Sequence, residues 1–379
     1  MRPPRVAILH DWLTTWGGAE RCLLLFHRLF PTAPIYTLVC DRKSLPPDLK
    51  NARIITSSIQ RLPDAVRKYP NYLPLMPKAV EEWNLSGYDL ILSSCHCCVK
   101  GALTRSDQAH VCYCYTPIRY VWDLYHTYTK HTEMSGMKRK VFEWSAHYLR
   151  MWDFAAAQRV DQFIAISETV RRRIEKTYNR KSSVIYPPVD TEFFVPDPDG
   201  ARDYYLVVSR MVPYKRVDLV LEAFATRSSP LLVVGTGPQE KKLKAMATPN
   251  VEFLGQVDDD ELRVLYQNCK ALIFPGVEDF GLTPVEAQAC GRPVIARAKG
   301  GVTESVIDGV TGLFFRDDSP EALAEAVEAF EKLELSPEKC RENAAHFDQG
   351  RFLEQIVAAL RPYLVERSET LVPPKATSA

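Results

Sequence analysis

Short apolar runs rich in Val, Ile, Leu and Tyr recur along this chain and alternate with stretches of helical pattern. In the first half the runs lie at 6–9, 35–39, 53–56, 88–93, 111–115, 163–166 and 183–186. In the second half they lie at 204–208, 231–234, 251–254, 271–274, 293–296 and 313–315. Continuous apolar strands that alternate with helices are typical of parallel sheets covered on both faces. Two such sets predict an α/β protein with two doubly wound, Rossmann-like domains, and 379 residues suffice for both.

Prolines mark the boundary between the two sets of strands. Pro187-Pro188 and the segment 196–200 (PDPDG) bias the chain towards extended conformations and predict a short, stiff linker. We therefore expect a first domain over 1–190 and a second domain over 196–346. A final helix is expected from about 349 to 366, followed by a disordered tail over 367–379.

The net charge of +1 conceals a difference between the halves. Residues 1–190 contain 27 Lys and Arg against 17 Asp and Glu, whereas residues 191–379 contain 21 against 30. The first half therefore carries +10 and the second −9, which arises either from solvated helix faces or from an anionic partner of the first half. Basic clusters at 138–140 and 171–173 favour a phospholipid surface or a phosphorylated acceptor. No nucleic-acid motif accompanies the charge, so we expect no nucleic-acid partner.

Other classes of protein receive little support from the sequence. No apolar run reaches the roughly 18 to 20 residues of a membrane helix, and the opening segment is typical of a first strand rather than a signal peptide. The ten cysteines include no pair of CxxC motifs at the spacing of a zinc site. We expect them to be reduced core thiols of a cytosolic protein.

The first candidate binding motif is Gly17-Gly18-Ala19-Glu20, which follows the first strand and opens a helix. A glycine pair in this place lets a phosphate approach the N–H groups at a helix N-terminus. The motif lacks the GxGxxG of a dinucleotide fold and the GK[ST] of a P-loop. A tight strand-to-helix turn explains it equally well.

Two further motifs follow strands of the second domain. Arg210 and Lys215 lie after the strand 204–208, where a guanidinium and an ammonium group would flank a diphosphate. Surface ion pairing is the alternative for each residue alone. Gly235 and Gly237 end the strand 231–234, and this shape either admits a nucleobase or turns the chain.

The segment 274–312 places two glutamates on either side of a glycine turn. Glu278 and Glu286 are separated by the turn Phe280-Gly281-Leu282 and by Thr283-Pro284. Thr283 and Glu286 fit a helix capping box, in which Glu286 only stabilises the helix by about 1 kcal/mol. Alternatively, the helix start faces a phosphate while Glu286 accepts hydrogen bonds from ribose hydroxyls. Glu278 has no comparable structural explanation, which favours a functional role at the carboxyl edge of the sheet.

These motifs together resemble the family 4 glycosyltransferases, and the resemblance covers nearly the whole chain. It is carried by the Glu278-x7-Glu286 block, by the segment 209–215 (SRMVPYK), and by HDWLTTWGGAE at 10–20 and CYCYTPIRYVWDLYH at 112–126. The resemblance implies a retaining enzyme of the GT-B fold, with two Rossmann-like domains that face a cleft and a C-terminal helix that crosses back to the first domain. Within the family, the chain is similar to bacterial mannosyltransferases of O-antigen and exopolysaccharide assembly.

The resemblance also implies roles for particular residues. Arg210 and Lys215 would hold the donor diphosphate, and Glu278 would contact the donor sugar, which makes these three the catalytic candidates. The remaining donor-binding candidates are Gly17, Gly18, Gly235, Phe280, Gly281, Leu282, Thr283 and Glu286, with Glu286 on the ribose and the backbone of Leu282 and Thr283 on the phosphates. Two positions depart from the family pattern: Tyr115 replaces a histidine that contacts the donor sugar, and Arg216 replaces a glycine.

The expected partners follow from the same resemblance. The expected donor is a nucleoside-diphosphate sugar, and the resemblance to mannosyltransferases implies GDP-mannose. Neither a cofactor nor a metal ion is expected. Tyr115, Arg119 and Trp122 mark a candidate acceptor region for a glycan or polyprenyl-diphosphate-linked substrate. The basic clusters predict peripheral contact with the cytoplasmic face of the inner membrane.

Several alternatives remain open at this point. The donor could be a UDP- or dTDP-sugar. A sugar-nucleotide epimerase of similar fold would use the same donor without an acceptor, and a non-catalytic subunit would only bind it. An NAD-dependent oxidoreductase has weak support because no GxGxxG motif is present.

Overall fold

The computed structural model describes residues 3–126, 129, 136–197, 199–200 and 203–369, and these fall into two compact units. The first unit takes in the chain up to Ile185 together with the residues from Leu353 onward, and the second unit is Tyr186–Phe352. The division lies slightly before the predicted linker. The last helix, expected to end at about 366, continues to Glu369. The tail expected over 367–379 otherwise lies outside the described residues.

The first unit contains a parallel sheet of seven strands in the order β3-β2-β1-β4-β5-β6-β7. The strands are β1 Val6–Leu13, β2 Ile35–Cys40, β3 Ile54–Thr56, β4 Leu90–Cys95, β5 Ala109–Cys114, β6 Gln162–Ala165 and β7 Ser182–Val184. Every residue of β2, β4 and β5 is buried. Burial on both faces explains why these strands appear in the sequence as continuous apolar runs.

Helices connect the strands of the first unit. They are α1 Gly18–Leu29, α2 Pro47–Lys50, α3 Ala65–Lys68, α4 Met76–Glu81, α5 Gly136–Ala157 and α6 Glu168–Tyr178. The side chain of Ser167 caps α6 by accepting a hydrogen bond from the Val170 N–H, and Asn179 ends the helix in the left-handed region.

The second unit repeats this plan with six parallel strands in the order β10-β9-β8-β11-β12-β13. The strands are β8 Tyr204–Val208, β9 Leu231–Val234, β10 Val251–Gly255, β11 Cys269–Phe274, β12 Val294–Arg297 and β13 Gly312–Phe315. The helices are α7 Val217–Phe224, α8 Glu240–Met246, α9 Asp259–Asn268, α10 Thr283–Ala289, α11 Val302–Ser305, α12 Pro320–Phe330 and α13 Pro337–Ala344. The final helix, α14 Gln349–Glu369, begins in this unit and continues into the first.

The strand order locates the ligand sites. In each sheet the order reverses at one point, between β1 and β4 in the first unit and between β8 and β11 in the second. Ligands of doubly wound sheets bind outside the carboxyl ends of the strands at this reversal. The segments that follow these four strands are therefore where binding residues are expected.

The prediction of core thiols is confirmed. All ten cysteines are free and buried, and burial raises the pKa of the Cys22 thiol to about 12. No described helix is long and apolar enough to span a bilayer. In the same described ranges, no group of three or more His, Cys, Asp and Glu side chains is placed to hold a metal ion.

Candidate active site

Two of the catalytic candidates meet at the strand reversal of the second sheet. Lys215 closes a 3-10 turn that follows β8, and Glu278 lies in the loop after β11. The ammonium group of Lys215 and the carboxylate of Glu278 form an ion pair, and both side chains are largely shielded from solvent. The structure therefore brings together a cation and a carboxylate that are far apart in the sequence.

Arg210 lies on the same edge but is exposed. Within the described part of the chain, its guanidinium group forms neither an ion pair nor a hydrogen bond. An exposed cation that follows the same strand as Lys215 is available to an anion from solvent. The edge thus presents one cation already opposed by a carboxylate and one that is not.

Glycines allow the loops of this edge to approach one another closely. A Cβ atom on Gly235, whose φ is +120°, would lie 2.1 Å from the Ser209 carbonyl oxygen. A Cβ atom on Gly276 would lie 3.1 Å from the Cα atom of Lys215. Gly235 therefore packs the end of β9 against the end of β8, and Gly276 lets the loop of Glu278 reach Lys215.

The loop that carries Glu278 is fixed from two sides. The Gly301 N–H donates to the Glu278 carbonyl oxygen at 2.9 Å. The Phe280 side chain is buried, with ring centroids 5.5 Å from Tyr186 and 5.4 Å from Phe347. Phe280 therefore anchors the loop through its ring, and only its backbone lies along the site.

Gly281 is required where the loop turns into helix α10. Its φ is +90°, and a Cβ atom would lie 2.8 Å from the edge of the Phe274 ring. Both the conformation and the contact exclude a larger residue. Leu282 and Thr283 then begin the helix with their backbone at the same edge of the sheet.

The capping-box interpretation of Glu286 is wrong. The N-cap residue is Leu282, no side chain caps the helix, and Thr283 lies inside its first turn. The buried Glu286 carboxylate instead accepts a hydrogen bond from the Tyr266 hydroxyl at 2.9 Å. The spacing of Thr283 and Glu286 in the sequence suggested a hydrogen bond within the first turn of the helix. In the structure the N-cap is Leu282, one residue earlier, and Glu286 is directed towards Tyr266 of α9.

Arg216 occupies a left-handed backbone conformation, with φ of +53°. This conformation explains a glycine at the position in the family pattern, because glycine adopts it without steric cost. Here the guanidinium group forms ion pairs with Asp218 at 3.3 Å and with Asp318. The Arg216 guanidinium group is therefore already engaged by two carboxylates, and Lys215 remains the candidate for the diphosphate.

A polar chain crosses the strand reversal of the first sheet. The buried His10 Nδ1 lies 3.0 Å from the Ser94 hydroxyl, which lies 2.9 Å from the Tyr115 hydroxyl. Tyr115 also donates to the Ala19 carbonyl oxygen at 3.0 Å. Tyr115 therefore links β5 to the start of α1, next to Gly17 and Gly18.

Two carboxylates flank this chain. The Glu20 carboxylate lies 3.5 Å from His10 Nε2, and although burial opposes its ionisation, His10 holds the pKa of this carboxyl below its ordinary value. The fully buried Asp11 carboxylate accepts four backbone N–H groups in a row, from residues 96 to 99, at 2.7 to 3.0 Å. Burial opposes its ionisation too, but His96 and these N–H groups lower the pKa of Asp11.

Sequence reasoning missed His10, Asp11 and Ser94 as site residues. The available signal was the pair His10-Asp11 inside an otherwise apolar strand, at the place where β1 reaches the reversal. Polar residues in such a strand require partners when buried. Those partners, Ser94 and the segment after β4, are supplied by the neighbouring strand.

The remaining acceptor candidates are partly engaged inside the first unit. The Trp122 indole N–H donates to the buried Asp153 carboxylate at 2.8 Å. Arg119 is half-buried. His110 is a fully buried core residue whose Nε2 lies 2.9 Å from the Ser93 hydroxyl.

Two Rossmann-like units, each built on one parallel sheet, give the chain the GT-B glycosyltransferase fold. Among solved structures, HepE of Anabaena in complex with UDP shares this fold with a TM-score of 0.69 and 19% identity, covering 94% of this chain and 100% of that chain. Sucrose-phosphate synthase of Thermosynechococcus elongatus has a TM-score of 0.71 and 20% identity, with coverages of 94% and 98%. The predicted fold class is thus confirmed.

Family models identify the chain more closely. "Glycosyltransferase Family 4" matches residues 16–193, and "Glycosyl transferases group 1" matches residues 189–347. Together they extend over both units. The chain belongs to the family 4 glycosyltransferases, as the sequence motifs predicted.

Curated relatives match part of the chain. An uncharacterized glycosyltransferase of Methanocaldococcus jannaschii is 29% identical over 55% of this chain and 60% of its own length. The GDP-mannose-dependent alpha-(1-6)-phosphatidylinositol monomannoside mannosyltransferase of Mycolicibacterium smegmatis is 29% identical over 43% of this chain and 50% of its own. The O-antigen chain mannosyltransferase RfbU of Salmonella typhimurium is 26% identical, with coverages of 53% and 60%. The chain therefore spans about half to three fifths of these relatives.

Proposed function

We propose that this protein transfers a sugar from a nucleoside-diphosphate donor to an acceptor hydroxyl, with retention of anomeric configuration. The observation that carries the proposal is the Lys215–Glu278 ion pair at the strand reversal of the second sheet, where the exposed Arg210 also follows a strand. A donor presents both a diphosphate and sugar hydroxyls. Cations suit the first and a carboxylate suits the second.

The proposed chemistry depends on stabilising the leaving group. As the sugar–phosphate bond breaks, positive charge develops on the anomeric carbon and negative charge on the departing diphosphate. Arg210 and Lys215 would stabilise that negative charge, together with the backbone N–H groups of Leu282 and Thr283. The leaving phosphate oxygen would then accept the proton of the acceptor hydroxyl on the same face of the sugar. This scheme uses neither a metal ion nor a cofactor.

The ion pair suggests how the donor enters. In the structure Glu278 opposes Lys215, so neither charge is left uncompensated. A diphosphate would compete for the ammonium group and free the carboxylate for the sugar hydroxyls. Glu278 would therefore change partners on donor binding, whereas Glu286 would remain with Tyr266 and contact the ribose from that position.

GDP-mannose is the donor that we propose. The Mycolicibacterium relative is named as GDP-mannose-dependent, and RfbU is named as a mannosyltransferase. A UDP-sugar is the second candidate, because HepE structures contain UDP and UDP-glucose. The identity to HepE is below a fifth, so its ligand weighs less than the names of the curated relatives.

The acceptor that we propose is a glycan or a polyprenyl-diphosphate-linked glycan of cell-surface polysaccharide synthesis. The name of RfbU supports this substrate class. The positive charge of the first half of the chain would attract such a lipid diphosphate. We therefore propose peripheral attachment to the cytoplasmic face of the inner membrane.

Thermal unfolding with GDP-mannose, UDP-glucose and dTDP-glucose tests the donor site, because a ligand of the folded state stabilises it by mass action. We expect GDP-mannose to stabilise most. Lys215→Met and Arg210→Gln should each weaken donor binding roughly tenfold or more, since a hydrogen bond to a charged group contributes about 1.5–3 kcal/mol. Lys332→Met and Arg316→Gln, both exposed in the same unit, serve as matched controls.

The alternative functions predict different results when the same protein is assayed with these nucleotide sugars. Failure of every nucleotide sugar to stabilise the protein would contradict the proposal. Conversion of the donor without an acceptor would indicate an epimerase, and binding without turnover a non-catalytic subunit. The anomeric configuration of the product, measured by NMR, tests retention, and activity in a chelator tests independence from metal ions.

A further inference from the structure

Helix α5 (Gly136–Ala157) exposes a row of large apolar side chains on one face. These are Met137, Val141, Trp144, Tyr148, Met151 and Phe154. Their spacing of three or four residues aligns them along the helix. Met137 is 74% exposed, Trp144 69%, Val141 57% and Met151 56%. An apolar row of this length on a surface marks a contact site.

The opposite face already holds the helix in the first unit. Leu149 is fully buried, and so is Asp153. The Asp153 carboxylate accepts hydrogen bonds from the Tyr178 hydroxyl at 2.7 Å and the Trp122 indole at 2.8 Å, and it pairs with the buried Lys100. The exposed row is therefore additional to the core contacts of α5.

The charge beside the row indicates what covers it. Lys140 and Arg139 are exposed near the start of the helix. Glu143 is the one acidic residue there within the described part of the helix, and it pairs with Arg139 at 2.9 Å. Arg171 and Arg173 of the second basic cluster are likewise engaged by acidic neighbours. Within the described part of the chain Lys140 forms no ion pair, so its positive charge remains available beside the apolar row.

We propose that the exposed face of α5 lies in the interfacial region of an anionic lipid bilayer. An apolar face with Trp and Tyr, flanked by basic residues, is the composition of a helix that lies in the membrane plane. Anionic headgroups complement the exposed Lys140.

This inference specifies the surface for the membrane contact included in the proposed function. Vesicle binding needs no donor, so a negative result would leave glycosyl transfer unaffected, and a failed donor assay would leave vesicle binding unaffected. The full chain is mixed with vesicles of phosphatidylcholine, or of phosphatidylcholine and phosphatidylglycerol in equal parts. Co-sedimentation then measures the bound fraction.

We expect binding to the mixed vesicles that weakens as salt is raised. The double substitution Trp144→Ser and Met151→Ser should reduce vesicle affinity about tenfold or more, because each side chain loses its apolar burial. Leu333→Ser, which removes an exposed apolar side chain of the second unit, is the control. Lys140→Gln should weaken binding to the anionic vesicles, whereas Lys176→Gln on α6 should not.

A spectroscopic readout places Trp144 itself in the bilayer. The chain contains six tryptophans, so the spectrum of a Trp144→Phe variant is subtracted from that of the wild type. The difference should shift to shorter wavelength on anionic vesicles. Unchanged affinity in the double variant, or binding independent of anionic lipid, would overturn the proposal. So would sedimentation velocity that shows a dimer which the double variant dissociates.

Discussion

At the scale of single residues, the two glutamates of the Glu278-x7-Glu286 block differ in their surroundings. Glu278 pairs with Lys215 at the edge of the sheet. Glu286 is buried and accepts the Tyr266 hydroxyl. In the proposed function a diphosphate would take the place of Glu278 on Lys215, whereas Glu286 would keep its hydrogen bond from Tyr266.

This difference predicts unequal effects of substitution. Glu278→Ala should lower the single-turnover rate more than Glu286→Ala and leave stability nearly unchanged. Glu286→Ala should lower the free energy of unfolding by about 1–3 kcal/mol, because the Tyr266 hydroxyl loses a buried acceptor. Stopped-flow turnover and urea unfolding measure the two effects. Glu325→Ala on the exposed face of α12 should change neither, and equal losses of rate in the two site variants would reject this division of roles.

The sequence predicted individual site residues better than their partners. Arg210, Lys215 and Glu278 follow strands that end at one edge, so the strand pattern and the family motifs together point to them. The contact between Lys215 and Glu278 could not be predicted, since it depends on the close approach of two loops at Gly276. His10 and Asp11 were missed because a buried polar residue in a strand is recognised only once its partner strand is known.

At the scale of elements, the strands could be predicted and their ends could not. Each apolar run overlaps a strand, and in the fully buried strands β2, β4 and β5 no polar alternation obscures the run. The run expected at 88–93 is displaced, however, to Leu90–Cys95. Its last residues are Ser94 and Cys95, which are paired with β5 and buried although Ser94 is polar.

The loop that carries Glu278 should be sensitive to a single methyl group. A Cβ atom on Gly301 would lie 2.3 Å from both the Asp279 carbonyl oxygen and the Phe280 Cα atom. Gly301→Ala should therefore displace this loop, lower the free energy of unfolding by about 1–3 kcal/mol, and reduce donor stabilisation in thermal unfolding. Gly87→Ala, where no atom lies within 4 Å of the new Cβ, should have little effect on either quantity. A Gly301→Ala protein with normal donor stabilisation would show that the loop position is unimportant.

At the scale of the whole molecule, buried polar groups make stability depend on pH. Burial, with a smaller contribution from the nearby Arg159, lowers the pKa of His110 from 6.5 to about 3. Between pH 3 and pH 6.5, His110 therefore binds a proton in the unfolded chain but not in the folded protein. Stability due to the neutral imidazole is present above pH 6.5 and is lost as the pH falls towards 3.

A His110→Gln variant tests this dependence. Below pH 6.5 the wild type should lose up to about 1.4 kcal/mol of unfolding free energy per pH unit through this histidine. Urea unfolding at a series of pH values should show a shallower dependence in the variant. Above neutral pH the two curves should run parallel. Identical slopes in the acid range would mean that His110 is protonated in the folded protein.

The network around Asp153 has a consequence for how quickly the protein could leave a membrane. Many peripheral helices fold only on contact with lipid, and the ordering of the chain then opposes binding. Helix α5 is held beforehand by Lys100, Tyr178 and Trp122 through Asp153. Its helical content should therefore be the same with and without vesicles. Dissociation would require only that a few side chains re-enter water.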